Sequence, residues 1–387
     1  MELQRRQRVI YLDNAATSFP KAPGVARAVY DFLENVGANA GRSSHQAART
    51  SSRIVYQARA AVAQLLGIEN SEQLAFCFNA THGLNTAIRG LVKPGMEVVT
   101  SCMEHNSVMR PLRNLEATMG VKIHQFGLLN DGLPDMAAYD ALLQNKPQVV
   151  VCTAASNVTG VIFPIHEIAA KAKGAGAITI IDASQLVGSY PFTVDASTMD
   201  CVCFPGHKGL LGPTGTGGIY VNPELSLAPL MTGGTGSRSD EERQPQYMPD
   251  LLESGTPNIA GIAGLLVSAQ YLLQRGIADV RAHKECIITQ LIQGLDGIPG
   301  IDIQSPRDVA QQVGVISITA SRLDCATLTR ELDKRDIAVR MGLHCAPGAH
   351  RALGTFEAGG TVRFSPGVFT TKKDIDTTLA ILGEILL

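Results

Sequence analysis

Cys201-Val202-Cys203-Phe204-Pro205-Gly206-His207-Lys208 is the stretch on which the reading of the chain turns. After Asp200 the run is apolar and uncharged, which reads as a buried strand rather than an alternating, half-exposed one. Gly209-Leu210-Leu211-Gly212-Pro213-Thr214-Gly215-Thr216-Gly217-Gly218 follows, too rich in glycine for helix or regular strand. Lys208 therefore stands at the end of a buried strand, on a turn whose backbone can approach a ligand closely.

Outward from this point, residues 74–221 alternate apolar strands with amphipathic helices. Strands are expected over 74–78, 97–101, 121–126, 148–153, 177–182, 199–204 and 217–221, and helices over 82–92, 106–119, 135–144 and 165–175. The alternation implies an α/β fold, a mostly parallel seven-stranded sheet covered on both faces. Ligands of such sheets bind beyond the carboxyl ends of the strands.

Five strand ends each carry a polar group. The first opens Asn79-Ala80-Thr81-His82-Gly83-Leu84-Asn85, a small-residue turn into a helix and so an anion site suited to phosphate. The second carries Met103-Glu104-His105-Asn106, where His105 either lies over an aromatic cofactor ring or caps a helix. The third carries Ser156-Asn157-Val158-Thr159-Gly160, the fourth Asp182 with Gln185 one helical turn on, and the fifth His207 and Lys208. Burial lowers a lysine's pKa because desolvation disfavours the ammonium, which makes it a Schiff-base nucleophile. A lysine for an aldehyde and a carboxylate to keep a pyridine nitrogen protonated are what pyridoxal 5′-phosphate requires. Lys208 and Asp182 form that pair; the alternative for Asp182 is a helix cap.

The flanks are less regular. Residues 9–17 read as a short strand entering a polar turn, and a helix is expected from Pro20 to about Asn35. Asn39-Ala40-Gly41-Arg42-Ser43-Ser44-His45 is either a capped start, through Ser43 or Ser44, of a helix over 45–66, or an active-site edge donating Arg42 or His45. The Gly-, Ser- and charge-rich residues 232–256 suggest a lid or a subunit-contact loop. One long helical pattern over 258–295 precedes a small α/β region with strands near 313–319, 337–341 and 361–365 and helices near 324–334 and 372–387. That region holds Cys345, beside His344 and near Arg340, where a neighbouring cation would favour thiolate; the alternative is a buried loop cysteine. It also holds Arg363, on a strand edge suited to bidentate capture of a carboxylate.

The 387 residues suit two domains, and 45% hydrophobic content is enough for a sizeable core. A net charge of −2 argues against a nucleic-acid or anionic-membrane partner bound by bulk charge. No apolar run approaches bilayer-spanning length, and the basic start Met1–Arg8 lacks a signal-type apolar segment, so a cytoplasmic location is expected. The eight cysteines are dispersed, and Cys77, Cys152, Cys201 and Cys203 read as small buried hydrophobes. A zinc reading of Cys201, Cys203 and His207 lacks a second ligand cluster.

These motifs together resemble the class V aminotransferase-like, fold-type I pyridoxal phosphate enzymes, and within them the cysteine desulfurase and selenocysteine lyase group with a short active-site cysteine loop. The similarity runs from YLDNAAT at Tyr11 through MEH (103–105), SNVTG (156–160), DASQ (182–185), GHKGLLGPTG (206–215), ESGTPN (253–258), VRMGLHCA (339–346) and VRFS (362–365). It implies a large cofactor domain over 16–262 and a small domain made of 1–15 and 263–387. It also implies roles. Lys208 would hold the cofactor covalently, Asp182 would pair with its pyridine nitrogen, Gln185 with its phenolic oxygen, and His105 would stack on the ring. Thr81 and His207 would bind phosphate, with Thr256 reaching in from the other subunit of a homodimer. Asn157 and Arg363 would hold the substrate carboxylate, Arg340 would line the site, and Cys345 would attack the substrate sulfur. The products would be alanine and a persulfide on Cys345, passed to a protein acceptor. The implied substrate is cysteine or selenocysteine; a related lyase or aminotransferase is the alternative, and a non-enzymatic scaffold a third reading. Two positions depart from the group's pattern. Pro205 replaces a Ser or Thr that would contact phosphate, and Leu343 replaces a second histidine beside Cys345.

Overall fold

The computed structural model describes residues 9–41, 45–238 and 240–386. Arg42, Ser43 and Ser44, and the basic start Met1–Arg8, lie outside the described residues.

The first strand, β1 (Ile10–Tyr11), leads into α1 (Val25–Asn35) and α2 (Gln46–Leu65). Helix α1 starts later than Pro20 because the chain first turns at Gly24, whose φ of 86° is left-handed. The described cap of α2 is His45, whose Nδ1 accepts from the Ala48 N–H. The alternation then runs β2 (Leu74–Cys77), α3 (Ala80–Leu91), β3 (Glu97–Ser101), α4 (Asn106–Met119), β4 (Lys122–Phe126), α5 (Met136–Leu143), β5 (Val149–Thr153), α6 (Ile165–Gly174), β6 (Ile178–Asp182), β7 (Cys201–Pro205) and β8 (Gly217–Val221). These seven strands form one sheet in the order β2-β8-β7-β6-β5-β3-β4, parallel except for β8, which runs antiparallel to both neighbours.

Every residue of β5 and β7 is buried, so the apolar runs mark strands covered on both faces. Successive side chains go to opposite faces: Val150, Ile181, Val202 and Phe204 join one core, while Val151, Ile180, Cys201 and Cys203 join the other. Each fully buried Val, Ile or Phe contributes about 1.5–3 kcal/mol. The cysteines serve as packing atoms. Among the described residues no group of three or more His, Cys, Asp or Glu is placed to hold a metal.

The long helical pattern is two helices, α7 (Ile259–Arg275) and α8 (Ile277–Asp296), because Gly276 adopts φ 82° and ψ 130° between them. Helix α7 packs on α1 and α2; α8 packs on the C-terminal helix α11 (Lys372–Leu386). Between lie β9 (Ile301–Ile303), β10 (Ile316–Ala320), α9 (Cys325–Asp333), β11 (Ile337–Ala338), β12 (Arg340–Gly342), α10 (Pro347–Ala352) and β13 (Thr361–Phe364). The expected strand over 337–341 is two strands with different partners. β11 pairs in parallel with β1, whereas β12 joins the antiparallel sheet β12-β13-β10-β9. No described helix is long and apolar enough to cross a membrane.

Candidate active site

A cavity of about 210 Å³ opens at the carboxyl ends of the parallel strands. Thr81, His105, Asn157, Asp182, Gln185, His207, Lys208, Arg340 and Arg363 all line it. Sequence reading placed each of these in one site.

Asp182 ends β6, and its Oδ1 accepts the Ser184 N–H at 3.0 Å. Lys208 follows β7 on a turn that glycine makes possible. A Cβ on Gly209 would lie 2.3 Å from the Val187 carbonyl, and one on Gly206 2.2 Å from Thr216 Oγ1. Burial lowers the Lys208 pKa to about 8, partly offset by Asp182 and reinforced by the Arg363 and Arg340 charges. The peptide joining His207 to Lys208 is fixed through its carbonyl oxygen, which accepts from Ser18 N, Thr17 Oγ1, Ser18 Oγ and Lys21 Nζ at 2.9–3.1 Å.

His105 both caps α4 and lines the cavity, so its two readings are compatible. Its Nδ1 accepts from the Ser107 N–H at 3.0 Å and faces Ser107 Oγ at 2.7 Å. Burial first, then cationic neighbours opposing Asp182, hold it neutral with a pKa of about 4. With Nδ1 accepting, the ring proton is on Nε2. Gln185 donates from Nε2 to the Ala15 carbonyl at 3.1 Å.

At the other end of the cavity stands the N-terminus of α3. Asn79 Oδ1 caps the His82 N–H at 2.9 Å, leaving Ala80 and Thr81 on the wall. Among the described residues the buried Nδ1 of His207 has no partner, and burial with the Lys208 and Lys21 charges lowers its pKa to about 4. A helix N-terminus, a threonine and an orphaned ring nitrogen suit an anionic group. Pro205 is also on the wall and offers neither hydroxyl nor N–H.

Arg363 is 1% exposed. Its Nη2 donates to Asp13 Oδ1 at 2.7 Å and its Nη1 to the Asn157 carbonyl at 3.0 Å, while Nε has no partner among the described residues. Arg340 sits opposite it in the β12–β13 register and donates from Nη2 toward Cys345 Sγ at 3.7 Å. Cys345 does not line the cavity, and it is exposed, so the buried-cysteine reading fails. It occupies a tight turn closed by Ala346 N–H to the Leu343 carbonyl at 2.8 Å, with φ 46° at His344 and 58° at Cys345. Three contacts hold this left-handed pair: Asn157 Nδ2 to the His344 carbonyl at 2.6 Å, Asn106 N–H to the Cys345 carbonyl at 2.7 Å, and His344 Nε2 with Thr361 Oγ1 at 3.0 Å.

Thr256 stands apart, in a surface recess with Tyr56, Arg59 and Glu253. None of the described residues of 232–256 lines the main cavity. His45 is likewise a helix cap and not a cavity residue.

Four contributing residues escaped sequence reading. Asp13 holds Arg363, Lys21 holds the His207 carbonyl, and Ser107 sets the His105 tautomer. Glu104 is buried, its Oε1 accepting from Ser101 Oγ at 2.6 Å and Thr153 N at 2.9 Å. Burial, with the Asp182 charge adding to it, raises its pKa to about 8, against the lowering effect of its Ser101 and Thr153 hydrogen bonds. The only sequence signal was its place inside MEH, beside His105.

Comparison with known proteins agrees with this geometry. A probable cysteine desulfurase of Pyrococcus abyssi is 32% identical over 98% of this chain and 95% of its own. A probable cysteine desulfurase 2 of Mycobacterium leprae is 30% identical over 96% of this chain and 90% of its own. Among solved structures, an apo cysteine desulfurase from Thermococcus onnurineus NA1 superposes with a TM-score of 0.91 at 29% identity, covering 98% of this chain and 94% of that one. The family model for aminotransferase class-V matches residues 10–378, and the chain belongs to that family.

Proposed function

We propose that the protein is a pyridoxal 5′-phosphate-dependent cysteine desulfurase, converting L-cysteine to L-alanine and carrying the sulfur away on Cys345. One observation carries the reading. Arg340 bridges a cavity holding Lys208 and Asp182 to the exposed thiol of Cys345. An aminotransferase has no use for that thiol.

The residues present fit the cofactor. Lys208 would anchor its aldehyde, Asp182 its pyridine nitrogen and Gln185 its phenolic oxygen. His105 would cover the ring, with the α3 N-terminus, Thr81 and His207 at the phosphate. When bound, the cofactor supplies an electron sink for charge developing on the substrate α-carbon. Arg363 and Asn157 orient the substrate carboxylate, with the free Nε–H of Arg363 available to it. The Lys208 amine, uncharged in part near pH 8, takes the α-proton. The Cys345 thiolate attacks the substrate Sγ; the carbon–sulfur bond breaks and a sulfur–sulfur bond forms on Cys345. Reprotonation of the substrate carbon gives alanine. The persulfide passes to an acceptor, which we assign to a protein because Cys345 faces outward. Selenocysteine is the alternative substrate, since its reacting atom occupies the same place.

We further infer a homodimer in which the partner subunit's Thr256 completes each phosphate site, because Thr256 lies away from its own cavity. Residues 16–262 form the cofactor domain, residues 1–15 and 263–387 the small domain, and the location is cytoplasmic.

The test is alanine and sulfide release from L-cysteine with a reductant, in wild type, Cys345→Ser and Lys208→Ala. The reading requires both products from wild type and neither from the variants. Release of alanine by Cys345→Ser from cysteine at the wild-type rate would overturn the role of the thiol. Activity of that variant on selenocysteine, with little wild-type turnover of cysteine, would make the protein a selenocysteine lyase.

A further inference from the structure

A second and smaller chamber of about 30 Å³ adjoins the main cavity at Lys208 and Gln185. Helix α8 forms one wall, the backbone of residues 313–315 and 365–368 two others, and the turns carrying Ser189 and Lys208 the fourth. Lys284 of α8 faces into it. This lysine is 8% exposed, yet among the described residues its amine has no hydrogen-bond or ion-pair partner. Gly314 explains how the amine reaches the wall. Its φ is +97°, and a Cβ there would lie 2.8 Å from Lys284 Cε and 3.1 Å from Nζ.

The acid next to it in the chain is already engaged: Glu285 pairs with Arg281 Nε at 2.6 Å, and the remaining Arg281 donors go to the carbonyls of Val309 and Gln312. No residue lining the chamber is acidic. The Ser189 hydroxyl on the opposite wall also has no partner among the described residues. Burial, and then the Arg281 charge, lowers the Lys284 pKa to about 7. An isolated buried ammonium is costly, and the half-buried Ser189 hydroxyl is free to donate. Lysine, two walls away from another lysine and with no carboxylate near, is arranged for an occupant that is itself negative.

We propose that this chamber binds one small monovalent inorganic anion, chloride being the probe, against the Lys284 ammonium and the Ser189 hydroxyl. Its volume admits about one or two water-sized groups. A halide fits that space, while sulfate, phosphate and carboxylates are too large. The site is independent of the proposed desulfurase reading, since no catalytic step uses Lys284. It shares Lys208 and Gln185 with the main cavity as common wall.

The experiment is the chlorine NMR line width of chloride solutions containing the holoprotein with excess L-alanine, whose carboxylate occupies the Arg363 and Arg340 side of the main cavity. Wild type should broaden the chloride line in a saturable way that bromide reverses and sulfate does not. Lys284→Met should remove the excess broadening. Ser189→Ala, which keeps the lysine, should weaken chloride about fivefold; it serves as the second variant if Lys284→Met does not fold. At constant ionic strength, chloride should also raise the melting temperature of wild type relative to gluconate. Broadening that survives in both variants, or its absence in folded wild type, overturns the proposal. Loss of desulfurase activity with chloride binding intact would count against the proposed function alone.

Discussion

Lys208 has its amine where aldehyde capture responds to pH in the neutral range. Its pKa is about 8, against an ordinary lysine near 10.5, chiefly because of burial. The rate at which cofactor-stripped protein takes up pyridoxal phosphate should therefore rise with pH and reach half its limit near pH 8. Stopped-flow absorbance checks this; a half-rise near pH 10 would mean that the amine is solvated. The same shift fixes a stability slope. Between about pH 8 and 10.5 the unfolded chain binds more protons at this position than the folded one, so stripped protein gains stability as pH rises through that window. Lys21 allows a second prediction. Its amine donates to the His207 carbonyl, Thr17 Oγ1 and Ser18 Oγ at 3.0–3.2 Å. Lys21→Met should lower kcat about tenfold to a hundredfold, the worth of one charged hydrogen bond at about 1.5–3 kcal/mol. It should also raise the His207 pKa, because one of the charges depressing it is gone. A histidine NMR titration reads the second effect, and Lys21→Arg should restore part of both. Much at this scale was legible in the sequence. Lys208, Asp182 and His105 follow apolar runs directly, so strand ends alone announce them. Asp13 was not legible as the partner of Arg363, because the two lie 350 residues apart along the chain. Lys21 looked like a surface charge because its partners are neutral oxygens, which leave no charge pattern to read.

Elements of the large sheet were legible to within a residue or two, because buried parallel strands write themselves as uninterrupted apolar runs. The orientation of β8 was not, since nothing in its residues distinguishes a parallel from an antiparallel neighbour. The small sheet was read less well. β9 has three residues and α10 six, too few for periodicity to register. The β12–β13 pair illustrates how such short elements are fixed. Gly360 precedes β13 with φ +101°, and a Cβ on it would lie 2.2 Å from the Gly342 carbonyl. Gly360→Ala should therefore destabilise the protein by about 2–4 kcal/mol, through left-handed strain and a backbone clash together. Urea denaturation measures this. Because the pair sets Arg340 opposite Arg363, the variant should also raise KM for the amino-acid substrate more than it lowers kcat.

Across the whole molecule, distant segments meet through a few buried polar links. Arg59 of α2 pairs with Glu253 at 2.5 Å, and the same carboxylate accepts the Phe76 N–H of β2 at 2.6 Å. Arg59→Met would strand a largely buried carboxylate, and such a loss costs about 3–5 kcal/mol. A fall in the urea midpoint with an unchanged slope is the expected signature. A loss under 1 kcal/mol would show that the recess admits water freely. The N-terminal segment is the most distant of these links. β1 pairs with β11, Asp13 holds Arg363, and the Ala15 carbonyl receives Gln185. The partners of β1 and Asp13 lie near the other end of the chain, so these two links form only when nearly the whole chain has emerged. The wall of the cavity that they supply is completed last, after the large sheet has formed around residues 74–221. Contacts of such sequence separation close slowly. Until they close, a nascent or C-terminally truncated chain exposes Lys208 and its neighbours without Asp13 or Ala15 in place. Cofactor capture then becomes a late event of biosynthesis, and a shortened chain is a poor trap for the free aldehyde.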